Sequence, residues 1–401
     1  MLEYEEAQAR ILAAVPPPTI EAIDLADAAG RVIAERVIAP IHLPRFDNSS
    51  MDGFALRAAD VAGATRRSPA RLSLAGRVAA GETLADELKA GTCVRLFTGS
   101  PMPRGADAVV MQEDTQEDAS ETSEILCLEA VQPGENVRRK GEDVAEGAPL
   151  AEAGEVLLPC RLSVLAACGI GTVRAGCQPT VGVLASGSEL REPGELLGPS
   201  QIYESNRVAL AALIRRVGAK PKAVPIVPDS LAATRLALAE CFAQCEIVVT
   251  SGGVSVGELD LVKRAFEEVG GRLQFWKVAI RPGRPFVFGR WGGKLLFGLP
   301  GNPVSALVTY LLLVRPALLR WQGAFEVAMP TYWGELAGPL SNPGERRHFV
   351  RVKLDRAGKI HSAGRQGSHM LSSMATANGL VDVPAQTSMA AGAKVAAMSW
   401  E

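Results

Sequence analysis

The chain has 401 residues, 47% hydrophobic and 21% charged, and its 42 Lys and Arg face 44 Asp and Glu for a net charge of −2. That composition excludes a disordered chain, because it holds enough apolar surface to offset the entropy of ordering the backbone. The lack of a basic excess argues against nucleic acid or a membrane surface as a general partner, and the length predicts two to four domains.

The N-terminal stretch MLEYEEAQAR is acidic and lacks the charged-then-apolar pattern of a signal peptide. A helical pattern runs from Tyr4 to Val15, breaks at Pro16-Pro17-Pro18 and resumes as an amphipathic run from Ile20 to Ile38. Residues 46–140 hold short alternating segments such as Ala70-Arg-Leu-Ser-Leu and Thr92-Cys-Val-Arg-Leu-Phe between Gly and Pro, the texture of a small β-domain. Residues 141–178 recover helical character around Cys160 to Cys168, and folding back on residues 1–45 makes 46–140 an insertion.

Residues 179–326 alternate strands and helices. Strands are predicted at Thr180–Ala185, Lys222–Val227, Glu246–Thr250, Phe275–Ile280, Phe286–Gly289 and Leu295–Gly298. Helices are predicted at Ser205–Val217, Ser230–Phe242, Glu258–Val269 and Pro303–Trp321, with capping residues at Ser205-Asn206, Asp229-Ser230 and Asn302-Pro303. This alternation predicts a mainly parallel sheet with helices on both faces. The most apolar helical stretch, Val304–Leu319, carries Arg315 and Pro316 and reads as a buried core helix, not a membrane span. Residues 327–401 return to β, with strands at His348–Leu354 and Gly379–Val383.

The seven cysteines are scattered, odd in number and without a CxxC, as expected of reduced thiols in a cytoplasmic protein. Cys241 and Cys245 have a spacing that suits metal, but with no second Cys or His pair nearby they read as core thiols. The four histidines, His42, His348, His361 and His369, share no zinc spacing, and no Ser-His-Asp arrangement stands out.

Ligands of open α/β sheets bind beyond the carboxyl ends of the strands, so three strand-to-helix loops matter most. The first, Ala185-Ser-Gly-Ser-Glu-Leu, is either a plain turn or a close backbone approach that presents Glu189. The second runs from Thr250 to Asp260. Its Ser251, Gly252, Gly253 and Ser255 free backbone N–H groups for an anion, yet it lacks the lysine of a P-loop. Asp260 is either a ligand or an acid that complements the helix dipole. The third, Gly298-Leu-Pro-Gly-Asn-Pro-Val-Ser-Ala, uses Pro300 and Pro303 to stiffen the approach to a helix that Asn302 is placed to cap.

Between the second and third loops, Lys277, Arg281 and Arg284 either line an oxyanion site or decorate a solvated hairpin. With Asp52 upstream and Asp229 at a strand end, Glu189 and Asp260 complete a set of four candidate carboxylates. Two such groups ~4 Å apart repel by ~4 kcal/mol at an effective dielectric near ~20, so a cluster needs a cation. Oxygen ligands beside phosphates favour Mg²⁺.

Six ordered motifs carry a family likeness: Phe46-Asp-Asn-Ser-Ser-Met-Asp-Gly-Phe-Ala, Phe97-Thr-Gly-Ser-Pro-Met-Pro, Arg138-Arg-Lys-Gly-Glu-Asp, Ser251-Gly-Gly-Val-Ser-Val-Gly-Glu-Leu-Asp, Gly298-Leu-Pro-Gly-Asn-Pro-Val-Ser-Ala and Gln366-Gly-Ser-His. Together they resemble the molybdopterin molybdenumtransferases, the MoeA family that includes the gephyrin E-domain. The resemblance implies a split helical stem domain (1–45 with 141–178) and an inserted β-domain (46–140). It further implies an α/β molybdopterin-binding domain (179–326) and a C-terminal β-barrel (327–401). It also implies a homodimer whose cleft is shared between subunits, and upstream adenylyltransferase and molybdoenzyme-maturation partners.

The implied reaction takes adenylylated molybdopterin and molybdate, releases AMP and leaves molybdenum on the dithiolene. By the same resemblance Asp52, Glu189, Asp229 and Asp260 hold Mg²⁺ and substrate, while Thr98 sits in the inserted domain's Thr-Gly motif. Lys277, Arg281, Pro300, Pro303, Arg351 and Ser368 match positions lining the pterin and molybdate region. Two departures stand out: Arg281 and Arg284 replace the family's usual lysines, and Ser188 stands where an Asp is common. The rival readings are a molybdopterin adenylyltransferase, which is typically the α/β domain alone, and a non-enzymatic scaffold of the same fold.

Overall fold

In the computed structural model, which describes residues 1–117, 123–253 and 261–400, the α/β alternation closes into one six-stranded sheet. Its order is Lys220–Ala223, Thr180–Ala185, Ile247–Ser251, Lys294–Leu299, Pro285–Trp291 and Arg272–Lys277. The first four strands are mutually parallel, and Pro285–Trp291 runs antiparallel to both of its neighbours, Lys294–Leu299 and Arg272–Lys277. Period-two alternation sends Val181, Val183, Ile247, Val249 and Phe297 to one face and Leu184, Val248 and Leu296 to the other. Helices Asn206–Arg216 and Pro303–Thr309 cover the first face, and Leu231–Gln244 and Leu261–Glu268 the second. A sheet buried on both sides demands near-continuous apolar strands, which is what these segments are.

Most predicted elements shift by a few residues only. The strand expected at Lys222–Val227 is Lys220–Ala223, an edge strand that tolerates Pro221 and stops before Pro225, which has no N–H to donate. Cys241 and Cys245 are buried, and their sulfurs lie 3.2 and 3.3 Å from where a Cβ on Gly182 would stand. Burial pushes the Cys241 thiol up to about 12, so these are packing groups and not ligands.

The stretch Pro303–Trp321 is the one helix among the described residues long and apolar enough to cross a membrane, but 83% of its apolar window is buried inside the protein. Its middle, Tyr310–Val314, is a π-turn, with Arg315 N–H donating to Tyr310 O. The cause is Pro316, which has no N–H to give Leu312. The freed Leu312 carbonyl instead accepts from Gln8 Nε2 at 3.2 Å, which docks the N-terminal helix Tyr4–Ala14.

The C-terminal strands Thr331–Leu336, Lys394–Ser399, Gly379–Val383, Arg347–Leu354 and Lys359–Ser362 pair in that order, and the last returns to the first. They form a closed five-stranded barrel with Val350, Val352, Ile360 and Val381 in its core. Phe349 faces outward instead and packs against Tyr4 with ring centroids 5.3 Å apart.

Residues 1–35, 153–158 and 172–401 form one compact unit, and 36–152 with 159–171 form a second. The run Ile20–Ile38 is not a helix. Ile20–Asp24 is a strand that pairs antiparallel with Thr172–Gly176, followed by a 3-10 turn at Leu25–Asp27. Amphipathic character over nineteen positions did not distinguish the periods, and the partner strand decided the matter. The second unit holds a curled six-stranded sheet, in the order Ala108–Met111, Gly53–Leu56, Thr92–Leu96, Ala70–Val78, Glu124–Cys127 and Thr115–Glu117. It also holds the helix Pro159–Ala167.

Candidate functional site

Within the α/β sheet the chain passes from Thr180–Ala185 to the neighbour on one side, Lys220–Ala223, and then to the neighbour on the other, Ile247–Ser251. The strand order therefore reverses between Thr180–Ala185 and Ile247–Ser251, which is where a ligand crevice is expected. A cavity of about 650 Å³ opens there, lined by Ser186, Glu189, Asp229, Ser251, Gly252 and Gly253 from the first loops. Pro300, Gly301, Asn302 and Pro303 line it from the third, and Pro285 and His369 from other segments.

The loops around it are built for close backbone packing. Gly252 and Gly253, which line the cavity, have φ of +87° and +66°, a left-handed backbone that favours glycine and lets the main chain approach closely. A Cβ at 252 would lie 2.6 Å from Ser186 O, and one at 253 would lie 2.9 Å from Ser186 Oγ and Val262 Cγ2. Ser186 also lines the cavity, and its Oγ is buried without a hydrogen-bond partner among the described residues. Gly252 N–H is already committed to Leu299 O at 3.2 Å, which locks the second loop onto the end of strand Lys294–Leu299.

Asn206 joins the loops. Its Nδ2 donates to Ser251 Oγ at 2.7 Å and to Gly301 O at 2.8 Å. Sequence reasoning placed Asn206 at a helix start and missed this role, because the amide's partners lie 45 and 95 residues away. The expected caps also differ. Neither Ser205 nor Asn302 makes a side-chain capping bond, although Ser230 accepts from Ala233 N–H. Helix Asn206–Arg216 is instead started by Glu204, whose Oε1 accepts from the N–H groups of Asn206 (2.7 Å) and Arg207 (2.9 Å). Arg207 then grips Glu204 and, through Nη2 at 2.6 Å to both oxygens, Glu192. This buried network pins the segment that carries Glu189.

Glu189 and Asp229 share the cavity. Asp229 Oδ2 accepts from Ser188 N–H at 3.0 Å, and Ser188 Oγ accepts from Asp229 N–H at 3.2 Å, so the serine that departs from the family pattern orients the aspartate. Asp52 lies in the second unit, where its Oδ1 accepts from Thr98 N–H (2.7 Å) and Thr98 Oγ1 (2.8 Å). Those bonds hold its carboxyl below the ordinary carboxylate value. Ser255 and Asp260 lie outside the described residues. Among the described residues no three His, Cys, Asp or Glu gather as a metal cage.

The other predicted residues are placed differently. Arg351 is fully buried and does not line the cavity. It donates to Ser373 Oγ, Arg365 O and Gly367 O, which holds the loop ahead of Ser368, while its Nη1 has no partner among the described residues. Ser368 O accepts from Val304 N–H at 3.2 Å, which fixes that loop to the start of the core helix. Lys277 is half-buried at a strand end outside the cavity lining. Arg281 sits in register with His348. Burial, then the charges of Arg284 and Arg281, push Arg346 below its ordinary value, so these guanidiniums form a cationic cluster.

The motifs of the second unit also converge. Asp47 accepts from Lys140 N–H (2.7 Å) and Arg139 Nη1 (2.9 Å), and Ser49 N–H donates to Ser100 O (2.9 Å). With the Asp52–Thr98 pair, these bonds bring residues 46–55, 97–103 and 138–143 into one corner.

The chain is thus a multidomain α/β protein with a doubly wound domain that holds a ligand crevice at its switch point, a closed barrel and a curled β-unit. The chain matches the MoeA N-terminal region (domain I and II) over residues 2–169, the "Probable molybdopterin binding domain" over 182–320, and the MoeA C-terminal region (domain IV) over 334–400. It is 38% identical over 384 residues to the molybdopterin molybdenumtransferase of Haemophilus influenzae, covering 94% of this chain and 93% of the relative. It is also 38% identical over 388 residues to molybdopterin molybdenumtransferase 2 of Mycobacterium tuberculosis, covering 95% and 94%. The crystal structure of the molybdopterin biosynthesis MoeA protein of Pyrococcus horikoshii matches with a TM-score of 0.83 at 28% identity over 100% of both chains. The chain belongs to the MoeA family of molybdopterin molybdenumtransferases.

Proposed function

We propose that this protein inserts molybdenum from molybdate into adenylylated molybdopterin and releases AMP. The observation that carries the reading is the switch-point cavity, where a glycine cradle, an unpartnered Ser186 hydroxyl and two carboxylates face one space. A phosphate-bearing substrate suits it, because backbone N–H groups and a hydroxyl solvate an anion without a neutralising lysine. Pro300 and Pro303 stiffen the wall opposite, and Asn206 holds both walls at fixed separation. The cationic cluster of Arg281, Arg284 and Arg346 supplies charge-assisted donors suited to the molybdate oxyanion.

The donor set fits Mg²⁺, which binds one or two carboxylates together with substrate phosphates and keeps several waters. Glu189 and Asp229, which both line the cavity, would hold it. When bound, the ion would supply charge neutralisation at the pyrophosphate bridge. The reading extends to a cytoplasmic homodimer with a cleft shared between subunits and to the four-domain division described above. It also includes exchange with an adenylyltransferase and with molybdoenzyme-maturation proteins.

The test measures AMP release from adenylylated molybdopterin with and without molybdate and Mg²⁺, for the parent protein and for Asp229→Asn. Molybdate-dependent release that the substitution lowers by about 100-fold or more would support the reading. Absence of release under every condition would overturn it.

A further inference from the structure

A second cavity, of about 220 Å³, lies between helix Asn206–Arg216, the π-turn of the core helix and the end of the last barrel strand. Leu213, Leu311 and Trp400 give it apolar walls, while Arg216, Arg315 and Tyr310 bring polar groups. It shares no lining residue with the switch-point cavity. Two features of it lack an internal explanation.

First, the Tyr310 hydroxyl is buried and has no hydrogen-bond partner among the described residues, although a phenol in a protein core normally finds one. Second, Arg216 and Arg315 feel each other's charge, and among the described residues neither has a carboxylate within ion-pairing distance. Arg315 is partly buried and donates to Val327 O at 2.9 Å, a neutral acceptor that fixes its position without cancelling its charge. Desolvation, the largest influence on Arg315, disfavours the charged form, so the site carries an uncompensated cost.

We infer that this cavity binds a small organic carboxylate, one anionic head on a ring-sized apolar body. The head would accept from Arg315, Arg216 and the Tyr310 hydroxyl, which would remove the unpaired charge and the orphan donor together. The body would lie against Trp400, Leu213 and Leu311. The size is suitable, because a dry apolar cavity of about 150 Å³ already accepts benzene, and this one is larger by roughly the room a carboxylate needs. A bare oxyanion would leave the apolar walls wet.

Benzoate is the probe, with benzyl alcohol matching its body without the charge and inorganic phosphate matching the charge without the body. Calorimetric titration of the full chain should show saturable benzoate binding below about 10 mM and none for benzyl alcohol. Arg315→Gln should weaken it by about tenfold or more, and Tyr310→Phe by about threefold to tenfold. Tyr310→Phe removes one oxygen from a packed core, so it keeps the measurement interpretable if Arg315→Gln does not fold. In Trp400→Phe, benzoate should still bind but lose the accompanying change in tryptophan fluorescence. Failure of benzoate to saturate, equal binding of benzyl alcohol, tighter binding of phosphate, or unchanged affinity in Tyr310→Phe would each overturn the proposal.

Discussion

Asn206 shows how much a single side chain decides. Its amide bridges Ser251 and Gly301, so the separation of the two loops depends on two hydrogen bonds from one nitrogen. Asn206→Ala should lower kcat/KM by about 10- to 100-fold while costing about 1–2 kcal/mol of stability. Steady-state AMP release alongside thermal melts checks the split, and a loss of stability with full activity would contradict the bridge's role. Gly253 makes the complementary point. Its φ of +66° and the 2.9 Å approach of Ser186 Oγ leave no room for a methyl group. Gly253→Ala should therefore cost about 1–3 kcal/mol, and substrate affinity should fall with it. Titration of AMP against the variant reads the affinity directly. That the loop would be glycine-bound was legible in its composition, whereas Asn206 was not, because a residue at a helix start looks the same whether it caps or bridges.

At the scale of elements, the informative contrast is between the sheet and the segment before it. Strands Thr180–Ala185 and Ile247–Ser251 are continuous apolar runs bounded by Gly, Ser and Pro, so their burial on both faces was readable from sequence. The run Ile20–Ile38 was not, because its strand is specified by Thr172–Gly176, some 150 positions away. Two elements can be tested. Gln8→Ala would remove the donor to Leu312 O, exposing the break that Pro316 makes in the core helix. A cost of about 1–2 kcal/mol is expected in denaturant unfolding, against almost none in a Pro316→Ala background that restores the helical N–H. Arg207→Leu would leave Glu204 buried without its cation, costing about 3–5 kcal/mol, and loosen the segment that carries Glu189. Hydrogen exchange over residues 186–205 should rise in that variant.

The whole molecule has an acid-sensitive point at the barrel. His348 is buried, with neither ring nitrogen partnered among the described residues. Burial, then the charges of Arg281, Arg351 and Arg346, lower its value to about 4. The unfolded chain takes up a proton near the ordinary value of about 6.5 that the folded chain refuses, so stability from this group is complete above that pH. It is lost progressively as pH falls from about 6.5 to about 4. The melting midpoint should therefore fall over that window more steeply in the parent than in His348→Gln, which cannot titrate. Parallel slopes would rule out His348 as the source.

By itself the sequence determined the α/β and β character of the chain, the three loops that matter and the family to which they belong. Those depend on local composition, on the period of apolar residues and on ordered motifs, all of which are properties of neighbours along the chain. Only the tertiary structure decided that Glu189 and Asp229 share one cavity with the glycine cradle, and that Arg351 supports a loop instead of lining it. It also decided that Tyr310, Arg216 and Arg315 meet around a second space. The physical reason is the same in each case: which polar groups face one another depends on where distant segments pack, and sequence spacing carries no record of that distance.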